Sequence, residues 1–129
     1  MRPTELIERE ITSDVIGAFF DVYNHLGFGF LEFVYSLALE RELLRRGRIV
    51  GREVNVPIVY RGELLTTQRV DMVVDDKVVV EIKAGLLLPP TARLQTLSYL
   101  RSTALEVGLL LHFGPEANFY RAIHSNHHK

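Results

Sequence analysis

Cysteine is absent from the chain of 129 residues, and tryptophan is absent as well. Without cysteine there is no disulfide framework, no cysteine-ligated zinc or iron–sulfur centre and no cysteine nucleophile. An excess of one charge is also lacking, because 15 Lys and Arg residues face 16 Asp and Glu residues, for a net charge of -1. The chain as a whole therefore does not attract nucleic acid or an anionic membrane, and any nucleic-acid site has to be local.

Long hydrophobic runs are missing too. The longest apolar stretches, such as 86–88 and 107–113, are far too short to span a membrane. The first five residues open no apolar run, so we expect a cytoplasmic protein without a membrane partner. The length and the 47% apolar content predict one globular domain that covers residues 1–129.

The hydrophobic periodicity predicts the order ααβββαββ and an α/β fold. Apolar residues recur every three or four positions in segments 6–26 and 31–46, which is typical of helices. The second segment is apolar around most of its surface, so its first half is expected to be nearly buried. A third helix opens at Pro89-Pro90 and runs to Ala104. Strands are predicted at 54–60, 64–74, 78–84, 107–113 and 119–123.

The register of the hairpin in segment 64–83 decides which side chains share a face. A two-residue loop would place Asp71 opposite Val80, whereas a three-residue loop at 75–77 would place it opposite Glu81. The hydrophobic pattern favours the longer loop, since one face of the hairpin then carries Val70, Met72, Val74, Val78, Val80 and Ile82. The other face carries Asp71, Glu81 and Lys83.

Two carboxylates opposite each other on neighbouring strands repel and need compensation. A divalent cation between Asp71 and Glu81 would supply it, and hard oxygen ligands favour Mg²⁺ or Mn²⁺ over zinc. Lys83 would then hold an attacking water or neutralise charge on a phosphate. The alternative is a solvated sheet edge, at which Asp71 and Glu81 pair with Arg69 and Lys83.

These residues resemble a known family. Asp71, followed by Glu81-Ile82-Lys83, is similar to the Asp…Glu-x-Lys core of the PD-(D/E)XK nuclease superfamily. Segment 29–35 matches the Gly-x-x-Glu-x-x-Tyr signature of the small GxxExxY proteins, which are assigned to that superfamily. Segments 95–100 and 107–114 also resemble that family, so the likeness runs from about Ile16 to Ile123.

The resemblance implies a restriction-endonuclease-like mixed sheet flanked by helices, and a nuclease that hydrolyses nucleic acid with Mg²⁺ or Mn²⁺. It implies Asp71 and Glu81 as metal ligands, with Lys83 positioning the water. Glu32 resembles the helical acidic residue beside the metal, and Gln95 the helical polar residue that supports the site or contacts phosphate. From the residues alone, the alternative for Glu32 is a carboxylate that satisfies backbone N–H groups at a helix start, and the alternative for Gln95 is a solvated helix face.

Two tyrosines are candidates for supporting roles. Tyr35 shares a helix face with Glu32, and it either hydrogen-bonds to Glu32 or packs in the core. Tyr99 follows Gln95 by one helical turn, and core packing is its commoner role.

A second function stays open at this point. The rival to a nuclease is a non-catalytic, nuclease-like binding or assembly module that acts as a homo-oligomer or with a protein partner, and the lack of a broad basic surface supports it. The one local concentration of arginine, at positions 41, 45, 46, 48 and 52, is a candidate for phosphate binding or simply a solvated helix end.

Overall fold

A computed structural model describes residues 7–129, so the start predicted for the first helix, at Leu6, lies outside the described residues. The helices are α1 (Arg9–Leu26), α2 (Glu32–Arg45) and α3 (Ala92–Arg101). The strands are β1 (Val50–Tyr60), β2 (Glu63–Val74), β3 (Val78–Ala84), β4 (Val107–Phe113) and β5 (Ala117–Ile123). The predicted order ααβββαββ is confirmed, and a short 3₁₀ turn follows at Asn126–His128. From residue 7 onward, no helix has the length and hydrophobicity to cross a membrane.

The five strands form one mixed sheet in the order β1-β2-β3-β4-β5. β1, β2 and β3 make the predicted antiparallel meander, β3 and β4 run parallel, and β5 returns antiparallel to β4. A parallel pair needs a crossover connection, and α3 supplies it between β3 and β4. The predicted α/β mixed sheet flanked by helices is therefore the observed fold.

The sheet is covered on both faces. On one face, α1 and α2 enclose a large apolar cluster that includes Phe19, Tyr35 and Phe113. On the other face, α3 contributes Tyr99 and Leu100 to a smaller cluster with Val73 and Val79. The central strands β3 and β4 are accordingly buried along almost their whole length.

The predicted single apolar face of the hairpin is wrong at Val70. Met72 and Val74 pack in the large cluster, but Val70 packs in the small cluster on the opposite face. β1 makes the same change of face, because Val50 contacts the large cluster and Val54 the small one. Between them Glu53 has φ 53, a left-handed conformation that interrupts the alternation of a regular strand.

The predicted burial of the first half of α2 is also wrong. Its buried residues are Tyr35, Leu39 and Leu43, which recur every four positions and form one narrow stripe. Leu31 and Phe33, counted as core from the sequence, are 77% and 63% exposed. Hydrophobicity around the whole helix therefore did not mean burial, and the first turn presents apolar side chains to solvent.

The arginine concentration divides into structural ion pairs. Arg46 pairs with Asp14 and Asp21 of α1, at 3.4 Å and 2.9 Å. Arg48 pairs with Asp14 at 2.7 Å and with Asp75 of the β2–β3 loop at 2.9 Å. These contacts fasten the end of α2 to its neighbours, so this part of the concentration is committed to the fold.

Gly108 in β4 allows α3 to lie close to the sheet, and this contact generates a first prediction. A Cβ at Gly108 would lie 2.9 Å from Thr96 Cγ2, which is buried. We expect Gly108→Ala to displace α3 and to lower the free energy of unfolding by about 1–3 kcal/mol, measured by urea denaturation. Thr96→Ser removes that methyl group and keeps the hydroxyl that donates to Ala92 O at 3.1 Å. The double variant should therefore recover most of the loss, and an equal loss in both proteins would contradict this account.

Candidate active site

The site lies where β2 and β3 separate. Met72 pairs with Val80 and Val74 with Val78, so the predicted three-residue loop and its register are confirmed. The next positions in this register are Asp71 and Glu81, at which the strand pairing stops.

Crossed hydrogen bonds replace the strand pairing at this point. The Asp71 N–H donates to Glu81 Oε1 at 3.1 Å, and the Ile82 N–H donates to Asp71 Oδ2 at 2.7 Å. Each carboxylate therefore satisfies a backbone donor of the opposite strand, as buried N–H groups require. These bonds hold the two carboxylates together between the strands, so the pair is not the solvated edge of the alternative hypothesis.

Burial and like charge act together on Glu81, which is 8% exposed. Desolvation, followed by the negative charge of Asp71, raises the pKa of Glu81 to about 8. The Asp71 N–H and the positive charge of Lys83 oppose this shift without cancelling it. Near neutral pH Glu81 therefore holds a proton, and like-charge repulsion with Asp71 arises when Glu81 ionises at higher pH.

Lys83 and Tyr99 approach the carboxylates from two elements. Lys83 is half-buried in β3, two residues beyond Glu81. In the parallel register of β3 and β4 it lies next to His112. Tyr99 lies on α3 and is buried in the small cluster, so it packs in the core as the sequence predicts. Burial, then the charges of Glu81 and Asp71, raise the pKa of Tyr99, so its hydroxyl lies within electrostatic reach of the pair.

Glu32 reaches the site from the opposite side of the sheet, at the first residue of α2. Its Oε1 accepts a hydrogen bond of 3.3 Å from the Ala84 N–H at the end of β3, so it does not cap its own helix. Glu32, Asp71 and Ile82 line one cavity of about 180 Å³. Glu32 and Asp71 therefore share a cleft, although their roles there stay predictions.

Gln95 is the predicted site residue with the least structural connection to the pair. Its side chain is exposed on α3, and among residues 7–129 its backbone N–H donates a hydrogen bond to Thr91 O at 2.9 Å. Its role in binding phosphate or supporting the site stays a prediction.

Tyr35 holds the turn that leads into α2. Its hydroxyl donates to Gly27 O at 2.5 Å and accepts from the Phe30 N–H at 3.3 Å. Its ring stacks on Phe113 at a centroid distance of 4.0 Å. Of the two alternatives for Tyr35, core packing is thus the one observed, and no hydrogen bond to Glu32 forms. Gly29, with φ 120, allows the chain to turn at this point.

The donor chemistry of the pair suits a divalent cation. In the described part of the chain, no three His, Cys, Asp or Glu side chains are gathered closely enough to hold a metal ion. Mg²⁺ does not require three, because it is commonly bound by one or two carboxylates together with waters and substrate phosphates. Asp71 and Glu81 therefore fit Mg²⁺ or Mn²⁺ as a partial ligand set that substrate would complete.

Sequence reasoning missed several residues of the Asp71 cavity, above all Arg52 and Phe33. Arg52 was grouped with the arginines at the end of α2, but it lies in β1, pairs with Met72 and contacts Glu40 at 3.2 Å. The strand predicted at 54–60 begins four residues earlier, at Val50. If the predicted pairing of β1 with β2 had been extended to residues before Val54, it would have placed Arg52 beside Asp71.

Comparison with known proteins identifies the superfamily of the chain. The model of the PD-(D/E)XK nuclease superfamily matches residues 9–122, so the chain belongs to that superfamily. A solved structure with the description "Crystal structure of SSO0001" superposes with a TM-score of 0.53 and 21% sequence identity. The match covers 73% of this chain and 50% of that one, so the chain spans half the length of its structural relative. At this identity the likeness concerns the fold alone. No curated protein matches the chain in sequence.

The protonation of Glu81 generates a second prediction. A glutamate pKa raised from 4.5 to about 8 means that the folded state binds the extra proton between these values. Stability should then fall as pH rises through this window. Glu81→Gln keeps the carbonyl oxygen that accepts from Asp71 and removes the charge. We expect it to stabilise the metal-free protein at pH about 8.5, by an amount that shrinks towards pH about 5.

Thermal unfolding in EDTA at several pH values measures this effect. Glu63→Gln is the matched control, because Glu63 is exposed at the far end of the hairpin and its variant should show no such trend. A destabilised Glu81→Gln protein at high pH would contradict stored repulsion at the site.

Proposed function

We propose that the protein is a nuclease that hydrolyses phosphodiester bonds of nucleic acid with a divalent metal ion. The observation that carries the proposal is the crossed pair of Asp71 and Glu81, held by backbone hydrogen bonds of 3.1 Å and 2.7 Å. Membership of a nuclease superfamily supports it. In this reaction, water adds across one P–O bond of the phosphodiester, and the strand is cut at that bond.

Asp71 and Glu81 are the residues that would hold Mg²⁺ or Mn²⁺, with Glu32 as a further acidic group in the cleft that Asp71 lines. When bound, such an ion lowers the pKa of a coordinated water and polarises a phosphoryl oxygen. The protein's contribution is to keep the two carboxylates in place before the ion arrives, so that little reorganisation is needed on binding.

Lys83 has a different role in this proposal. Its ammonium acts on the Glu81 carboxylate from two residues along β3. A cation at this place orients the attacking water and balances the negative charge that develops on the phosphate. Gln95 and Tyr99, one turn apart on α3, would contact phosphate or support the carboxylates.

Within the superfamily we propose membership of the GxxExxY proteins. The three residues of that signature have separate tasks in this structure. Gly29 forms the turn with φ 120, Glu32 reaches the end of β3, and Tyr35 holds the turn through Gly27. These tasks support the assignment, since each explains why the motif has its spacing.

The second candidate is a nuclease-like module that binds or assembles without turnover, as a homo-oligomer or with a protein partner. The exposed apolar side chains at the start of α2 favour it, because patches of this kind commonly mark interaction surfaces. Cleavage assays separate the two candidates.

A third prediction concerns Lys83. Lys83→Ala should lower cleavage by about 100-fold or more while calorimetry shows nearly unchanged Mg²⁺ binding, because Lys83 acts on water and phosphate and is not a ligand. Asp71→Ala should lose both metal binding and cleavage. Lys77→Ala is the matched control, since Lys77 is an exposed lysine of the β2–β3 loop.

The substrates for this test are single-stranded, duplex and branched DNA and RNA, each with Mg²⁺ and with Mn²⁺. Failure of the wild type on all of them would contradict the nuclease proposal. Binding to nucleic acid or protein that Lys83→Ala leaves unchanged would then establish the non-catalytic module.

A further inference from the structure

Large apolar side chains in the turn before α2, in the first turn of α2 and after β3 face solvent. Phe28 and Phe30 lie in the turn before α2 and are 42% and 46% exposed. Phe33, in the first turn of α2, is more exposed than either, and Leu86 and Leu87 follow β3. Exposed phenylalanines at this density are unusual on a protein surface unless something binds there.

These side chains are next to the candidate active site. Phe28, Phe30 and Phe33 line a cavity of about 550 Å³ together with Ala84 and the turn before α2. Glu32 and Phe33 line both this cavity and the smaller one that contains Asp71. A substrate whose phosphate lies at Asp71 therefore has its neighbouring chemical group at Phe33.

The turn that carries the phenylalanines is held in place by hydrogen bonds and ring contacts. Tyr35 accepts from the Phe30 N–H, and the Phe30 and Tyr35 rings meet edge to face at 6.0 Å and 89°. Tyr35 is itself fully buried. A surface fixed before binding costs little conformational entropy when a ligand stacks on it.

The charges at this cavity select the class of ligand. Its lining, within the described residues, contains Glu32 and no Lys or Arg. This lining therefore does not contact a phosphate backbone, and it does not suit a duplex either, because the bases of a duplex are enclosed in the stack. An unpaired base presents an apolar face of its own, which stacks well on aromatic side chains.

We propose that Phe28, Phe30 and Phe33 form a stacking surface for an unpaired nucleobase beside the scissile phosphate, so that the substrate is single-stranded nucleic acid. This inference rests on the proposed nuclease function, because it assigns the phosphate to the Asp71 cleft. It names the substrate class that the carboxylates alone leave open.

The test is binding of fluorescent oligothymidylate, measured by anisotropy in EDTA, where no cleavage occurs. Phe33→Ala should weaken binding about 5-fold to 150-fold, the range for loss of one base–aromatic stack. Tyr60→Ala is the matched control, an exposed aromatic at the far end of β1, seven residues from Glu53 and so roughly 23 Å away. It should bind as the wild type does.

An oligonucleotide that lacks one base makes the test specific to stacking. Substituting single abasic sites along the strand should weaken wild-type binding at one position. The same abasic site should have little further effect on Phe33→Ala, because the contact is already lost. Because Phe33 is exposed, the variant should unfold at the same urea concentration as the wild type.

Several outcomes would overturn the proposal. They are undetectable wild-type binding, equal affinity of wild type and Phe33→Ala, an equal loss in Tyr60→Ala, or independence from abasic sites. A dimer that Phe33→Ala converts to monomer, with oligonucleotide affinity unchanged, would make the surface an interface between copies. Base-dependent binding without cleavage would leave the surface standing and refute the nuclease. Equal cleavage of duplex and single strands that Phe33→Ala leaves unchanged would support the nuclease and refute the stacking surface.

Discussion

The mutual capping of Asp71 and Glu81 is the constraint on which the rest of the site depends. Two carboxylates would separate if only their charges acted, since like charges on neighbouring strands repel. Here each is fastened to the backbone of the opposite strand, through the Asp71 N–H and the Ile82 N–H. Burial of Glu81, and then the charge of Asp71, raise the pKa of Glu81. A cation would relieve the same repulsion by replacing the proton.

The irregularity in the hairpin gives this pair its position. β1 and β2 contribute apolar residues to the α1 and α2 side at one end and to the α3 side at the other. The change occurs at Glu53 in β1 and beside Asp71 in β2. In a regular strand, the alternation of side chains would have fixed the face of the sheet on which Asp71 lies. Asp71 lines the cleft with Glu32, and the charges of Glu81 and Asp71 both reach Tyr99 on α3.

The turn before α2 connects metal chemistry to substrate binding in our proposals. Tyr35 stacks on Phe113 in the core and holds the turn through Gly27. The same turn presents Glu32 to the end of β3 and leaves Phe30 and its neighbours exposed. One buried tyrosine thus holds the turn from which both an acidic group and an apolar surface extend.

The sequence by itself determined the element order, the hairpin register and the candidate pair, because periodicity and loop length are local properties that packing rarely overrides. The tertiary structure decided which apolar residues are buried, since that depends on what covers each face. Val70 packs in the small cluster, and Phe33 is exposed to solvent. It also decided that Arg52 lies beside Asp71, because this neighbour comes from strand pairing over a long separation in sequence. The residue types indicate which chemistry is available, but contacts between residues far apart in the sequence decide which side chains lie together.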